Sequence, residues 1–160
     1  MFDYISDVID LEIYDKDGSL ITKINSLKKG KLKLHEAEET YLIVEDALLN
    51  IELLKQLGEE EDETELSDFD KSFRDNDETI IKFNNKKYST EVKIIGRGIV
   101  HNAENNSVSY NFRLIIPKAE LIRRHEINFE NTVSYNPKYV FKLHPYNSNE
   151  DVFQLRFKKV

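Results

Sequence analysis

Cysteine is absent from this chain, and so is tryptophan; methionine occurs once, proline three times and glycine five times in 160 residues. Without cysteine, neither a disulfide nor a thiolate metal site can hold the fold, which suits a reducing compartment. Long apolar runs are missing as well. No stretch approaches the roughly 20 residues of a membrane span. Met1-Phe2-Asp3-Tyr4 lacks the basic and apolar regions of a signal peptide. A soluble protein made in the cytosol is expected. No internal repeat recurs at a fixed period.

Charge of one sign is in deficit. Thirty acids stand against 23 bases, a net charge of -7. Phosphate binding rests on Lys and Arg, so a general affinity for nucleic acid or anionic membranes is disfavoured. The imbalance is concentrated. Residues 59–70 hold eight acids and no base. Such a segment repels itself and buries little apolar surface. Gly58 to about Glu78 therefore reads as a mobile acidic loop with Leu66, Phe69 and Phe73 as its anchors. The length is that of one domain, 1–160, able to bury a real core.

Most of the chain has the period of strands. Ile9, Leu11 and Ile13 alternate with polar residues, Asp17-Gly18 signals a hairpin turn, and Leu20 to Ile24 returns. Leu32 and Leu34 alternate with Lys31, Lys33 and His35 in a third short strand. Beyond the acidic stretch, Ile80–Phe83 and Lys87–Ser89 flank an expected hairpin turn at Asn84-Asn85-Lys86, and Glu91–Val100 reads as a longer strand. Val108, Tyr110, Phe112, Leu114 and Ile116 then alternate strictly with polar residues until Ile115, with Pro117 expected to end the strand. Tyr139, Phe141 and Leu143 are expected to pair with Phe153, Leu155 and Phe157 across the turn 144–149. One segment reads as a helix, about Tyr41 to Leu57. Val44, Ala47, Leu48, Ile51 and Leu54 share one face, which Leu49, Leu53 and Leu57 widen. Gly58 suits a left-handed residue just past the helix end. The fold class is thus α+β: a mainly antiparallel β-sandwich or barrel with one principal helix packed on the sheet.

Catalytic signatures are weak. His35, His101, His125 and His144 form no metal-ligand string. Asp15-Lys16-Asp17-Gly18 opens like a calcium loop but lacks its later acidic ligands, so a hairpin turn is favoured. Glu91-Val92-Lys93, with Asp75 or Asp77 upstream, is loosely similar to the metal-dependent nuclease pattern of Asp followed by Glu-x-Lys, in which two acids hold Mg²⁺ and the lysine sits near the scissile phosphate. There is no Gly-rich phosphate loop and no nucleophile signature. No catalytic residue, cofactor or metal is expected.

Three stretches carry a family resemblance: the early hairpin Asp10–Ile24, the segment Asp46–Gly58, and the closing strands Arg113–Ala119 and Asn136–Leu143. In this arrangement the chain resembles tailed-bacteriophage virion proteins of the tail-tube type. The resemblance implies a non-enzymatic structural protein whose sheets join between subunits in stacked rings, expected to be hexameric. Its partners would be copies of itself and other virion proteins, assembled in the host cytoplasm, with no specific nucleic-acid binding and no membrane. Tail terminators and connectors share the architecture, so the component stays open. The candidate subunit contacts are the basic cluster Lys28, Lys29, Lys31 and Lys33 against Glu59, Glu60, Glu61, Asp62 and Glu63 of a neighbour; as a lone cluster the lysines also read as a solvated edge that blocks strand aggregation. Arg123-Arg124-His125 is a second small basic cluster. Two other classes stay open: an acidic binding or inhibitor module that mimics nucleic acid through residues 59–70, and a nuclease using Glu91 and Lys93.

Overall fold

A computed structural model describes residues 4–5, 8–28, 32–36, 38–44, 51–60, 68–73, 78–83, 89–102, 108–122 and 139–160. In chain order the elements are β1 (Tyr4–Ile5), β2 (Val8–Asp15), β3 (Leu20–Lys28), β4 (Leu32–Glu36), β5 (Thr40–Val44), α1 (Ile51–Leu57), β6 (Glu59–Glu60), α2 (Asp68–Ser72), β7 (Ile81–Lys82), β8 (Ser89–Asn102), β9 (Ser109–Ile122), β10 (Tyr139–Leu143) and β11 (Gln154–Lys159). The protein is mainly antiparallel sheet with a helix packed on it.

The two long strands β8 and β9 form the spine. The sheet order is β3-β2-β8-β9-β10-β5-β4, every pair antiparallel. β1 extends the β2 edge of β8, and β11 extends the β10 edge of β9. β6 and β7 make a separate two-stranded sheet. The β2–β3 turn is built by Asp15, whose Oδ1 accepts from the Asp17 and Ser19 amides at 2.9 Å each. Gly18 supplies the left-handed residue there, at φ 90°.

β3 and β4 follow one another in the chain yet stand at opposite ends of the sheet order. Lys28 and Leu32 end and begin them, so these two Cα atoms lie within about 14 Å of each other. The sheet therefore curls until its outer strands approach, without pairing. Of the sandwich or barrel expected, the closed barrel is not formed: the sheet stays open. The concave face holds one core. Leu11 and Ile13 from β2, Leu42 and Val44 from β5, Val92 and Ile94 from β8, Leu121 from β9 and Phe141 from β10 are fully buried in it. Leu53 and Leu57 of α1 cap it, and the Thr90 hydroxyl donates to the Gln56 carbonyl at 2.9 Å.

Several local expectations are corrected. The helix read as Tyr41–Leu57 is shorter: Thr40–Val44 is strand, and the helix spans Ile51–Leu57. Val44 does share a helical period with residues downstream, but β5 is paired on both sides, to β10 and β4. Leu42 and Val44 are buried by that pairing, and tertiary context overrides a local period. Residues 45–50 lie outside the described set. Gly58 is not left-handed. It is glycine because a Cβ there would stand 2.7 Å from the Lys82 carbonyl oxygen and 2.8 Å from Ile81 Cγ2. The stretch expected as a mobile acidic loop carries two short elements where it is described. Glu59–Glu60 pairs with β7 and Asp68–Ser72 is a short helix, Phe69 and Phe73 meeting edge to face at 5.1 Å. Leu66 lies outside the described residues.

Pro117 does not end its strand. β9 runs through it to Ile122. Ile94 pairs with Ile116 and Val92 with Ala119, so Pro117 and Lys118 together oppose Lys93. That is a bulge, where the missing proline N–H is tolerated. The extra residue also shifts the inward positions from Leu114 and Ile116 to Ala119 and Leu121, all buried. Nor do residues 139–143 pair with 153–157. β10 and β11 both run antiparallel to β9, end to end along one edge. Between them residues 144–153 leave that edge and return, closed by the Tyr146 amide on the Asp151 carbonyl at 3.0 Å. Two segments parallel to each other and collinear cannot form a hairpin.

Candidate functional site

Period-two alternation puts the odd residues of β8 and β9 on the convex face as far as the bulge. Register then decides which of them meet. Arg97 stands directly opposite Arg113, and Arg113 directly opposite Arg156. Asp10 of β2 faces Arg97 from the other side. The next row is Ile99 and Asn111, with Lys158 beyond. The preceding row is Glu12, Ile95, Ile115 and Gln154. Three guanidinium groups thus line up across three adjacent strands, over a span of about 10 Å. They floor a groove of about 610 Å³ that also includes Asn111 and Lys158.

The three arginines differ in their partners. Arg97 Nε donates to Glu12 Oε1 at 2.6 Å. The other Glu12 carboxylate oxygen accepts a short bond from the Tyr14 hydroxyl. These bonds, Tyr14 first and Arg97 second, hold the Glu12 carboxyl below the ordinary glutamate range, and Glu12 in turn raises the Tyr14 phenol. Arg156 Nε and Nη2 donate to Gln154 Oε1 at 3.1 and 2.9 Å. Gln154 neutralises no charge. Arg113, at the centre and exposed, has no carboxylate partner among the described residues. Like charges directly opposite one another destabilise a sheet. A row of three, in a chain of net charge -7, concentrates local positive potential. The guanidinium fork matches a carboxylate or phosphate in two parallel hydrogen bonds.

The concave side of the same end is apolar. Phe112 and Phe157 pack at 5.6 Å, and Tyr110 meets Phe157 edge to face at 6.3 Å. Leu155 and Phe157 are nonetheless 47% and 55% exposed. Among the described residues no strand lies on the far side of β11. A basic groove, an open strand edge and an apolar ledge therefore meet at one border of the sheet.

At the opposite end the convex face carries matched charges. Lys142 Nζ lies 3.0 Å from Glu39 Oε1, and the Tyr41 hydroxyl donates to Glu39 Oε2 at 2.6 Å. Tyr41 foremost, then Lys142, lowers the Glu39 carboxyl, and Glu39 raises the Lys142 ammonium. His144 Nε2 and Glu120 Oε2 are 2.9 Å apart.

The residues singled out from the sequence are scattered relative to this surface. Lys28 ends β3 and Lys33 is exposed on β4, while Lys29 and Lys31 lie outside the described residues. Glu59 and Glu60 form β6; Glu61, Asp62 and Glu63 lie outside the described residues. Glu91 and Lys93 sit exposed on β8, with Lys118 Nζ 4.0 Å from Glu91. Asp75 and Asp77 are outside the described residues. Among the described residues no group of three His, Cys, Asp or Glu could hold a metal ion. His35 and His101 lie on β4 and β8, and His125 is outside the described set, as are Arg123 and Arg124. The arginine row was not foreseen. Its members are far apart in the sequence, and only register brings them together.

Comparison of the chain with family models, with curated proteins and with solved structures found no match. Among the described residues no helix is long and apolar enough to cross a membrane.

Proposed function

We propose that the chain is a non-enzymatic structural protein of a tailed-bacteriophage virion, assembling into rings of the tail tube or a related connector. The observation that supports it best is the border at β11: an edge strand of six residues, open among the described residues, with exposed Leu155 and Phe157 beside it. Open edges are templates for a further chain, and a ring removes them by pairing each with a neighbour. β3 and β4 are edges of the same kind. A β11-to-β11 contact between two copies would set Arg156 and Lys158 against their own kind. Head-to-tail contact avoids this, and head-to-tail contacts close into rings when the rotation permits. Light scattering on the purified protein, alone and with its neighbouring gene products, together with negative-stain microscopy, tests the reading. Rings are expected; a strict monomer under every one of those conditions would sink it.

A further inference from the structure

The convex face at β11 has an unbalanced pattern that its other side already resolves. On the β8 side of the arginine row lies β2, with Asp10 opposite Arg97 and Glu12 bonded to Arg97 at 2.6 Å. The alternate residues Ile9, Leu11 and Ile13 of β2 face the core, Leu11 and Ile13 fully buried. On the β9 side the row ends at Arg156, with Lys158 next along β11, both exposed and with no acid beyond them among the described residues. β11 has the same division of faces as β2: Leu155 and Phe157 on the concave side, Arg156 and Lys158 on the convex side.

We infer that the free edge of β11 is a docking site for an extended partner strand in which acidic and apolar side chains alternate, as they do in β2. Strand addition supplies main-chain hydrogen bonds along the edge, and alternate side chains supply specificity. The acids of the partner strand would lie over Arg156, Lys158 and the unpartnered Arg113. Its apolar residues would cover Leu155 and Phe157. The occupant is a polypeptide rather than a nucleic acid for two reasons. A strand edge offers main-chain N–H and C=O groups in register for another polypeptide, which a nucleic acid cannot pair, and the net charge of -7 repels a dense polyphosphate at long range. On the β3 edge, by contrast, Lys23 already stands opposite Glu12. The inference extends the assembly reading by naming the chemistry of what covers this border.

The test uses the intact protein and a labelled peptide with the sequence of Val8–Asp15 as the probe. Anisotropy should report binding that weakens with salt. The exposed double variant Arg113→Gln/Arg156→Gln should bind about tenfold or more weakly. A control peptide with lysine at each acid should not bind the unaltered protein. Hydrogen exchange should slow across residues 154–159 when the probe is bound. Equal binding of both peptides, no binding of the acidic one, or its displacement by single-stranded DNA that binds the row more tightly would each overturn the inference. Ring formation is scored separately by light scattering. Peptide binding without rings removes the assembly reading alone; rings, with no peptide binding to the protein before it assembles, remove this inference alone.

Discussion

The two ends of the curled sheet solve the same problem differently. Around β10 and β5 the inward apolar side chains are covered, with Phe141, Leu42 and Val44 fully buried beside the α1 leucines. Outside that end the polar groups are partnered, Lys142 with Glu39 in an ion pair and His144 with Glu120 in a hydrogen bond. At β11 the inward aromatic Phe157 is half exposed and the outward arginines outnumber their acids. The first end is organised for stability. The second keeps apolar surface and like charge exposed together, which lowers stability where a partner would restore it. Exposed apolar surface rimmed by charge is the usual mark of an interaction site.

That contrast can be broken at several points. Phe141→Ala should cost roughly 3–5 kcal/mol in urea unfolding, because a large, fully buried ring leaves a cavity. A loss as small as that at an exposed site would mean the β10 end is not the core. Gly58→Ala comes next, at about 1–3 kcal/mol, since its Cβ would meet backbone at 2.7 Å rather than a yielding side chain. A neutral result would mean that α1 and β7 are not held this close. Phe157→Ala should cost only about 1 kcal/mol, the ring being half exposed. It should weaken assembly or peptide binding more than it weakens folding.

Acid titration probes the Glu12–Arg97 pair of the arginine end. The Glu12 carboxyl is lowered in the folded state by Tyr14 and Arg97. Its contribution is therefore present above the ordinary glutamate range and is lost as pH falls through the lower folded value. Glu12→Gln should remove that contribution at neutral pH, lowering stability there, and so flatten the fall of stability with acid in that window. An unchanged acid slope in urea titrations would show that the pair contributes nothing. Arg113→Gln should have the smallest effect on folding, within about 0.5 kcal/mol and favourable in sign if it relieves the row. A large loss would mean that Arg113 has a structural partner.

Much of the fold was legible because it is local. The strict alternation of Val108 to Leu114, the Asp-Gly turn at residue 18 and the leucines before Gly58 each announce an element within a few residues. Where the reading failed, a distant strand had decided. Thr40–Val44 became strand because β4 and β10 flank it. Pro117 was accommodated because two residues of β9 bulge opposite Lys93. Of the surface proposed as functional, the apolar and basic residues of β11 could be read as an alternating strand. That this strand would stay at an open edge could not.

The sequence alone determined the class of this protein: cysteine-free, acidic, strand-rich, with a helix whose leucines need a sheet to cover. Tertiary structure alone decided that Arg97, Arg113 and Arg156 share one row, and that Leu155 and Phe157 border an open edge. The reason is physical. Alternation is set by neighbours two residues apart, whereas register is set by which strands pair, and a slip of one residue would send each arginine to the opposite face.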